Sequence, residues 1–277
     1  MIADCHMHMV LDGEDWKAAI GRHQPKPQEE FIRRTLQHYR ELGVTYLRDG
    51  GDRWGVGARA RELAAEYGIT YRTPLAPLCL QGHYGSFIGL QYENLRQYAD
   101  LVVRQRQQGA DFIKIMISGL MDFDRYGVLT EQGLSGDLIC QLVHIAHEEG
   151  MAVMAHANGW ETILAAAEAG VDSVEHGAYQ NSESLAAMAQ MGTVWIPTLS
   201  TVGNLLGKGR FDDYQVKSIL EDALQHLADY RGLVAPGTDA GAWAVPHGSQ
   251  TEADWLAQAG IDDARLTEGT KVIVDRF

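Results

Sequence analysis

Cysteine is nearly absent from this chain. Its three residues, Cys5, Cys79 and Cys140, are scattered and none forms a C-x-x-C pair, so neither a disulfide framework nor a thiolate metal knot is available. Basic residues are also scarce: 23 against 37 acidic ones, a net charge of -14. That balance argues against nucleic acid or an anionic membrane as partner. No apolar run is long enough to span a bilayer, and the first residues lack a signal-peptide pattern. Linker-like and low-complexity tracts are missing as well. The expectation is one domain over residues 1–277, in a reducing, cytoplasmic setting, acting on a small-molecule substrate. Self-association into a homo-oligomer is left open by the sequence.

What is present is alternation. Apolar, strand-like runs fall near 2–8, 44–49, 70–78, 112–117, 152–157, 172–176, 193–199 and 232–239. Helical patterns separate them over 28–42, 57–67, 91–108, 136–149, 160–169, 182–191 and 212–230, with another over 249–259. Glycines 43, 68, 109, 150, 170, 192 and 260 stand just past helical stretches, where the left-handed C′ position favours them. Eight strand-plus-helix units predict an α/β fold, a closed (β/α)8 TIM barrel.

The run Ile2-Ala3-Asp4-Cys5-His6-Met7-His8 puts His6 and His8 on one face of a strand and Cys5 and Met7 on the other. Two neighbouring neutral imidazoles are a chelating pair for divalent ions. A barrel gathers its active-site residues at the C-terminal ends of its strands. His156, His176 and Asp239 close later strand-like runs, so four histidines and a carboxylate converge on one mouth.

Lys114 adds a further element. In Phe112-Ile113-Lys114-Ile115-Met116-Ile117 the isoleucines share the helix-packing face, so Lys114 points inward with Phe112 and Met116. A buried, unpaired ammonium tends to lose its proton. The neutral amine can take up carbon dioxide as a carbamate able to bridge two cations. The other readings are a buried ion pair or a contact to a substrate anion.

The set Asp4-x-His6-x-His8, Lys114, His156, His176 and Asp239 resembles the amidohydrolase superfamily, in its binuclear branch with a carboxylated lysine. The segments Ile113-Lys114-Ile115-Met116-x-Ser118-Gly119, Ala155-His156-Ala157-x-Gly159 and Ala169–Gly177 are similar to those of imidazolonepropionase-related and prolidase-like members. A small β-sandwich built from segments flanking the barrel is usual in that branch. It has no counterpart expected here.

The resemblance implies that His6, His8 and Asp239 hold a more buried metal and that His156 and His176 hold a more exposed one. Carboxylated Lys114 would bridge the two. Zinc is the default ion, with manganese, cobalt or iron as alternatives. A metal-bridging hydroxide would attack a polarised carbonyl, with Asp239 as catalytic acid–base. The implied activity is hydrolysis of an amide C–N bond, peptide-like or cyclic. The alternatives are a lactonase or other ester hydrolase, a mononuclear deaminase, and a non-catalytic ligand-binding barrel.

For the substrate, His83 and Tyr84 follow the third strand, and Arg48 ends the second, able to hold a substrate carboxylate or pair with Asp49. Tyr179 and His247 complete the expected mouth. The stretch Gly203–Gly209 reads as a connection over it. Gly55-Val56-Gly57 is read as a helix start, His144 and His147 as a solvated face, and Cys5 as core.

Overall fold

A computed structural model describes residues 2–277 as an α/β fold of parallel sheets covered by helices. The strands are β1 (Ile2–Met7), β2 (Val44–Asp49), β3 (Thr70–Arg72), β4 (Leu78–Leu80), β5 (Leu90–Tyr92), β6 (Ile113–Met116), β7 (Val153–Ala157), β8 (Ser173–His176) and β9 (Val194–Ile196). The helices are α1 (Trp16–Arg22), α2 (Glu29–Glu41), α3 (Val56–Ala64), α4 (Leu95–Gln107), α5 (Gly136–Glu148), α6 (Trp160–Glu168), α7 (Ser182–Met191), α8 (Ser200–Gly203), α9 (Asp213–Asp229), α10 (Thr251–Gln258) and α11 (Asp263–Arg276).

The strands form two sheets, β1-β2-β3 and β5-β4-β6-β7-β8-β9, with every pairing parallel. The third strand expected over 70–78 is the reason for the division. Pro74 and Pro77 have no N–H to give a ladder, and Leu75 between them takes a positive φ of 65°. The first half, β3, therefore pairs with β2, and the second, β4, with β6. A backbone bond from Asp111 N to Thr73 O, at 3.0 Å, spans the break.

The other seam is the segment expected as the eighth strand. It is held by isolated bridges, Trp195–Val234 and Met7–Ala240, and not by a regular ladder. Its neighbours still anchor it on both sides. Trp195 N donates to Leu233 O at 2.9 Å, Cys5 N to Pro236 O at 2.9 Å, and Asp239 N to His6 O at 2.7 Å. Pro236 interrupts the donor row, which explains the missing ladder.

Side-chain alternation sorts the core into layers. Ile113, Ile115 and Ile117 face outward into a cluster with Ile139, Leu142 and Val143 of α5, while Phe112 joins a separate cluster with Cys5, Tyr46, Met154 and Phe277. Helix ends follow local chemistry: Asp15, Asn94, Ser135, Asn181, Asp212 and Asp262 each accept a backbone N–H at an N-cap. All seven glycines read as helix stops have positive φ. Among the described residues no helix is long and apolar enough to cross a membrane.

Candidate metal centre

His6 and His8 at the end of β1 and Asp239 from the bridged segment are buried, and one ligand atom of each lies within 4.8 Å of the others. Oδ1 of Asp239 is 3.4 Å from His6 Nε2 and 3.3 Å from His8 Nε2. The His176 ring centroid is 5.2 Å from that of His6, and that of His156 is 4.6 Å from His176. The four imidazoles expected from the sequence thus form one contiguous row.

Two of the rings, those of His176 and His156, have one nitrogen hydrogen-bonded to a neighbour, and a third faces a carboxylate; in each the other nitrogen is left to serve a metal. Nδ1 of His6 lies 2.8 Å from Glu175 Oε2. Nδ1 of His176 lies 2.7 Å from the Thr198 hydroxyl. Nε2 of His156 lies 3.1 Å from the Gly119 carbonyl, which also accepts from Asn158 Nδ2. Asp239 is fixed from below: Asp4 accepts from Thr238 N at 2.9 Å and from its hydroxyl at 2.6 Å.

Lys114 is 1% exposed, and its ammonium has no hydrogen-bond partner. Burial lowers its pKa, and the opposing pull of Glu175 and Asp239 does not restore the ordinary value. Burial, then the Lys114 charge, drives His8 and His156 down to about 3 and His6 well below the usual imidazole range. Burial and the neighbouring His156 do the same to His176. The rings are therefore neutral at neutral pH, the form that binds metal. Burial raises the Asp239 carboxyl, with Lys114 opposing. A buried row of neutral imidazoles, a carboxylate and an unpartnered amine is a donor set that fits divalent ions.

Backbone strain marks the same place. His176, Thr198 and Asp239 have φ of 66°, 47° and 55°, a region that side chains rarely occupy and that clusters at functional sites.

A cavity of about 890 Å³ opens above the row, lined by His8, His176, Asp239 and Tyr84 and by apolar side chains including Phe87, Phe123, Phe211 and Trp243. Tyr84 lies on the cavity wall, its ring 4.8 Å from that of His156. The other four substrate candidates do not line this cavity. His83 turns to Glu131, whose second oxygen accepts from Tyr84 N at 2.9 Å. Tyr179 packs on Tyr126, ring to ring at 5.7 Å. His247 bridges the Leu11 carbonyl at 3.0 Å and the Tyr39 hydroxyl at 3.2 Å, tying its loop to α2. Arg48 is completely buried. It donates to the Cys5 carbonyl at 2.7 Å, Ser173 Oγ at 3.0 Å and Glu175 Oε1 at 2.8 Å, and it makes no pair with Asp49.

Sequence reasoning missed Glu175, Thr198, Asn158 and Gly50. Glu175 carried a signal: an acid adjacent to a site histidine, two residues along the strand from Ser173. Gly50 follows β2, and a Cβ there would fall on the His8 ring. Asn158 and Thr198 had no pattern of their own.

No protein-family model matches the chain. An uncharacterized protein of Mycobacterium tuberculosis is 24% identical over 256 residues, 89% of this chain and 65% of that protein. Ochratoxinase of Aspergillus niger is 28% identical over 187 residues, 64% of this chain and 36% of the enzyme. The chain thus spans less than two thirds of the length of these curated relatives. Among solved structures, a Xaa-Pro dipeptidase with methionine in its active site superposes with a TM-score of 0.78 at 20% identity, covering 99% of this chain and 75% of the other. A structure titled as an amidohydrolase gives a TM-score of 0.74 at 20% identity, over 98% and 74%. This chain shares its fold with these two solved proteins over nearly its whole length.

Proposed function

We propose that the protein is a metal-dependent hydrolase of an amide C–N bond in a small molecule, built as a (β/α)8 barrel whose two sheets are closed by the 233–240 segment. The observation that carries this reading is the unpartnered, buried Lys114 amine beside the His6–His8–Asp239 cluster. His6, His8 and Asp239 would hold one divalent ion and His156 and His176 a second, with Lys114 bridging as a carbamate. Zinc suits the nitrogen and oxygen donors. Such ions lower the pKa of water from 15.7 to about 7 and polarise a carbonyl.

The chain's own residues supply the rest. Asp239 turns Oδ1 to the two histidines and borders the cavity. Its Oδ2 is then available to accept a proton from the attacking water and deliver it to the leaving nitrogen. Tyr84, its ring tilted against that of His156, bounds the substrate's position, and the apolar walls exclude water from the reacting carbonyl. The Xaa-Pro dipeptidase and ochratoxinase likenesses support an amide over an ester. The test is turnover of dipeptides, N-acyl amino acids and lactones by protein loaded with zinc or manganese. Amide hydrolysis abolished by chelator and restored by metal is expected. Hydrolysis of lactones alone would contradict the reading.

A further inference from the structure

The cavity wall carries a cation without an acidic partner. The Arg210 guanidinium lies 4.5 Å from the ring centroid of Trp243 and 5.3 Å from that of Phe211. Phe211 packs in turn on Trp243 at 6.2 Å and on Phe123 at 5.1 Å. Three rings from three separate loops therefore make one apolar wall, and all of these residues line the cavity that reaches His8, His176 and Asp239.

Among the other charges at the cavity, Asp15 caps α1 and Asp122 pairs with Arg125, while Lys17 lies 5.3 Å over the Trp16 ring, away from the Phe123–Phe211–Trp243 wall. Arg210 has no acidic side chain paired with it among the described residues. A guanidinium lying over aromatic faces is weakly hydrated and keeps its edge N–H groups free. That fork matches a planar or tetrahedral oxyanion.

We propose that Arg210 and Trp243 are specificity-determining residues of this cavity, and that its ligands pair an apolar aryl group with an anionic oxygen group. The aryl group stacks along the Phe123–Phe211–Trp243 wall and the anion meets the Arg210 fork. The placement of a scissile bond over the histidine row rests on the hydrolase reading above. The binding of an aryl anion does not.

Calorimetric titration of the metal-loaded protein separates the two. The probes are naphthalene-2-sulfonate and neutral methyl 2-naphthyl sulfone, which share the ring system and differ in charge. The wild-type protein should bind the sulfonate about tenfold more tightly, as one charge-assisted bond allows. Arg210→Met should erase that preference while leaving sulfone affinity in place, and Arg210→Lys should recover only part of it. Equal binding of the two probes by the wild-type protein overturns the proposal. So does a preference that survives Arg210→Met. An Arg210-dependent preference in a protein that hydrolyses no amide keeps this site and removes the hydrolase reading. Amide turnover without any anion preference does the reverse.

Discussion

Oε2 of Glu175 lies 2.8 Å from Nδ1 of His6, and the other oxygen of the same carboxylate lies 2.8 Å from the Arg48 guanidinium. All three side chains are essentially buried. A carboxylate behind a ligating histidine fixes its tautomer and raises its basicity. Arg48, 4.4 Å from the Phe277 ring centroid, sets its guanidinium against that carboxylate in a dry place. Glu175→Gln should retain the fold and weaken metal binding by about 10–100-fold. Competition against a chromophoric chelator measures this. Unchanged metal affinity would remove Glu175 from the centre.

Arg48→Met is expected to act on stability. It leaves Glu175 as a buried, uncompensated charge, a loss of about 3–5 kcal/mol. Urea unfolding of the metal-free protein should show the midpoint falling. An unchanged midpoint would mean that the Arg48–Glu175 pair does not hold the fold.

That pair shows what the sequence made legible and what it did not. Strand alternation puts His6, His8, Lys114 and Arg48 on the inner side and tells nothing of their partners. His156, His176 and Asp239 were readable because strand ends meet at one mouth, whatever the details of the ladder. Arg48 was misplaced because its partner Glu175 comes from a strand 127 residues away. Tyr179 and His247 are on loops whose course is set by packing on Tyr126 and Tyr39, which carries no local sequence period. The prolines that break the third strand were visible, but their effect on pairing depends on two neighbours at once. Helices α1 and α11 went unread, the second although Asp262 caps it.

Gly50→Ala isolates the geometry of β1 from its ligands. The added Cβ would collide with the His8 imidazole. The ring must then rotate or shift away from Asp239. Loss of bound metal with a near-native circular dichroism spectrum is expected. Full metal content in this variant would show that the His8 position is not fixed by that contact.

Glu252 on α10 accepts from Leu199 N at 3.0 Å and Ser200 N at 2.7 Å, and burial raises its pKa from 4.5 to about 7. The folded protein therefore holds this proton more tightly than the unfolded chain. Between these two values the unfolded state binds fewer protons, so stability falls as pH rises through that window. The slope for one such group is at most about 1.4 kcal/mol per pH unit. Glu252→Gln should flatten it, as read from urea midpoints at about pH 5 and about pH 8. A slope identical to that of the wild-type protein would assign the pH dependence elsewhere.

Asp239→Asn should keep much of the metal, since an amide oxygen still ligates. It should lose turnover by about 10²–10⁴-fold, the usual worth of a general acid–base. Near-normal amide turnover with metal retained would end the proton-carrier role.

The most direct measurement is metal content together with the state of Lys114. Protein reconstituted with zinc and bicarbonate should hold two ions per chain by elemental analysis. A crystal of that material should show carboxylate density on the Lys114 amine, touching both ions. At most one ion per chain, with Lys114 unmodified beside His6, His8 and Asp239, would contradict the binuclear account.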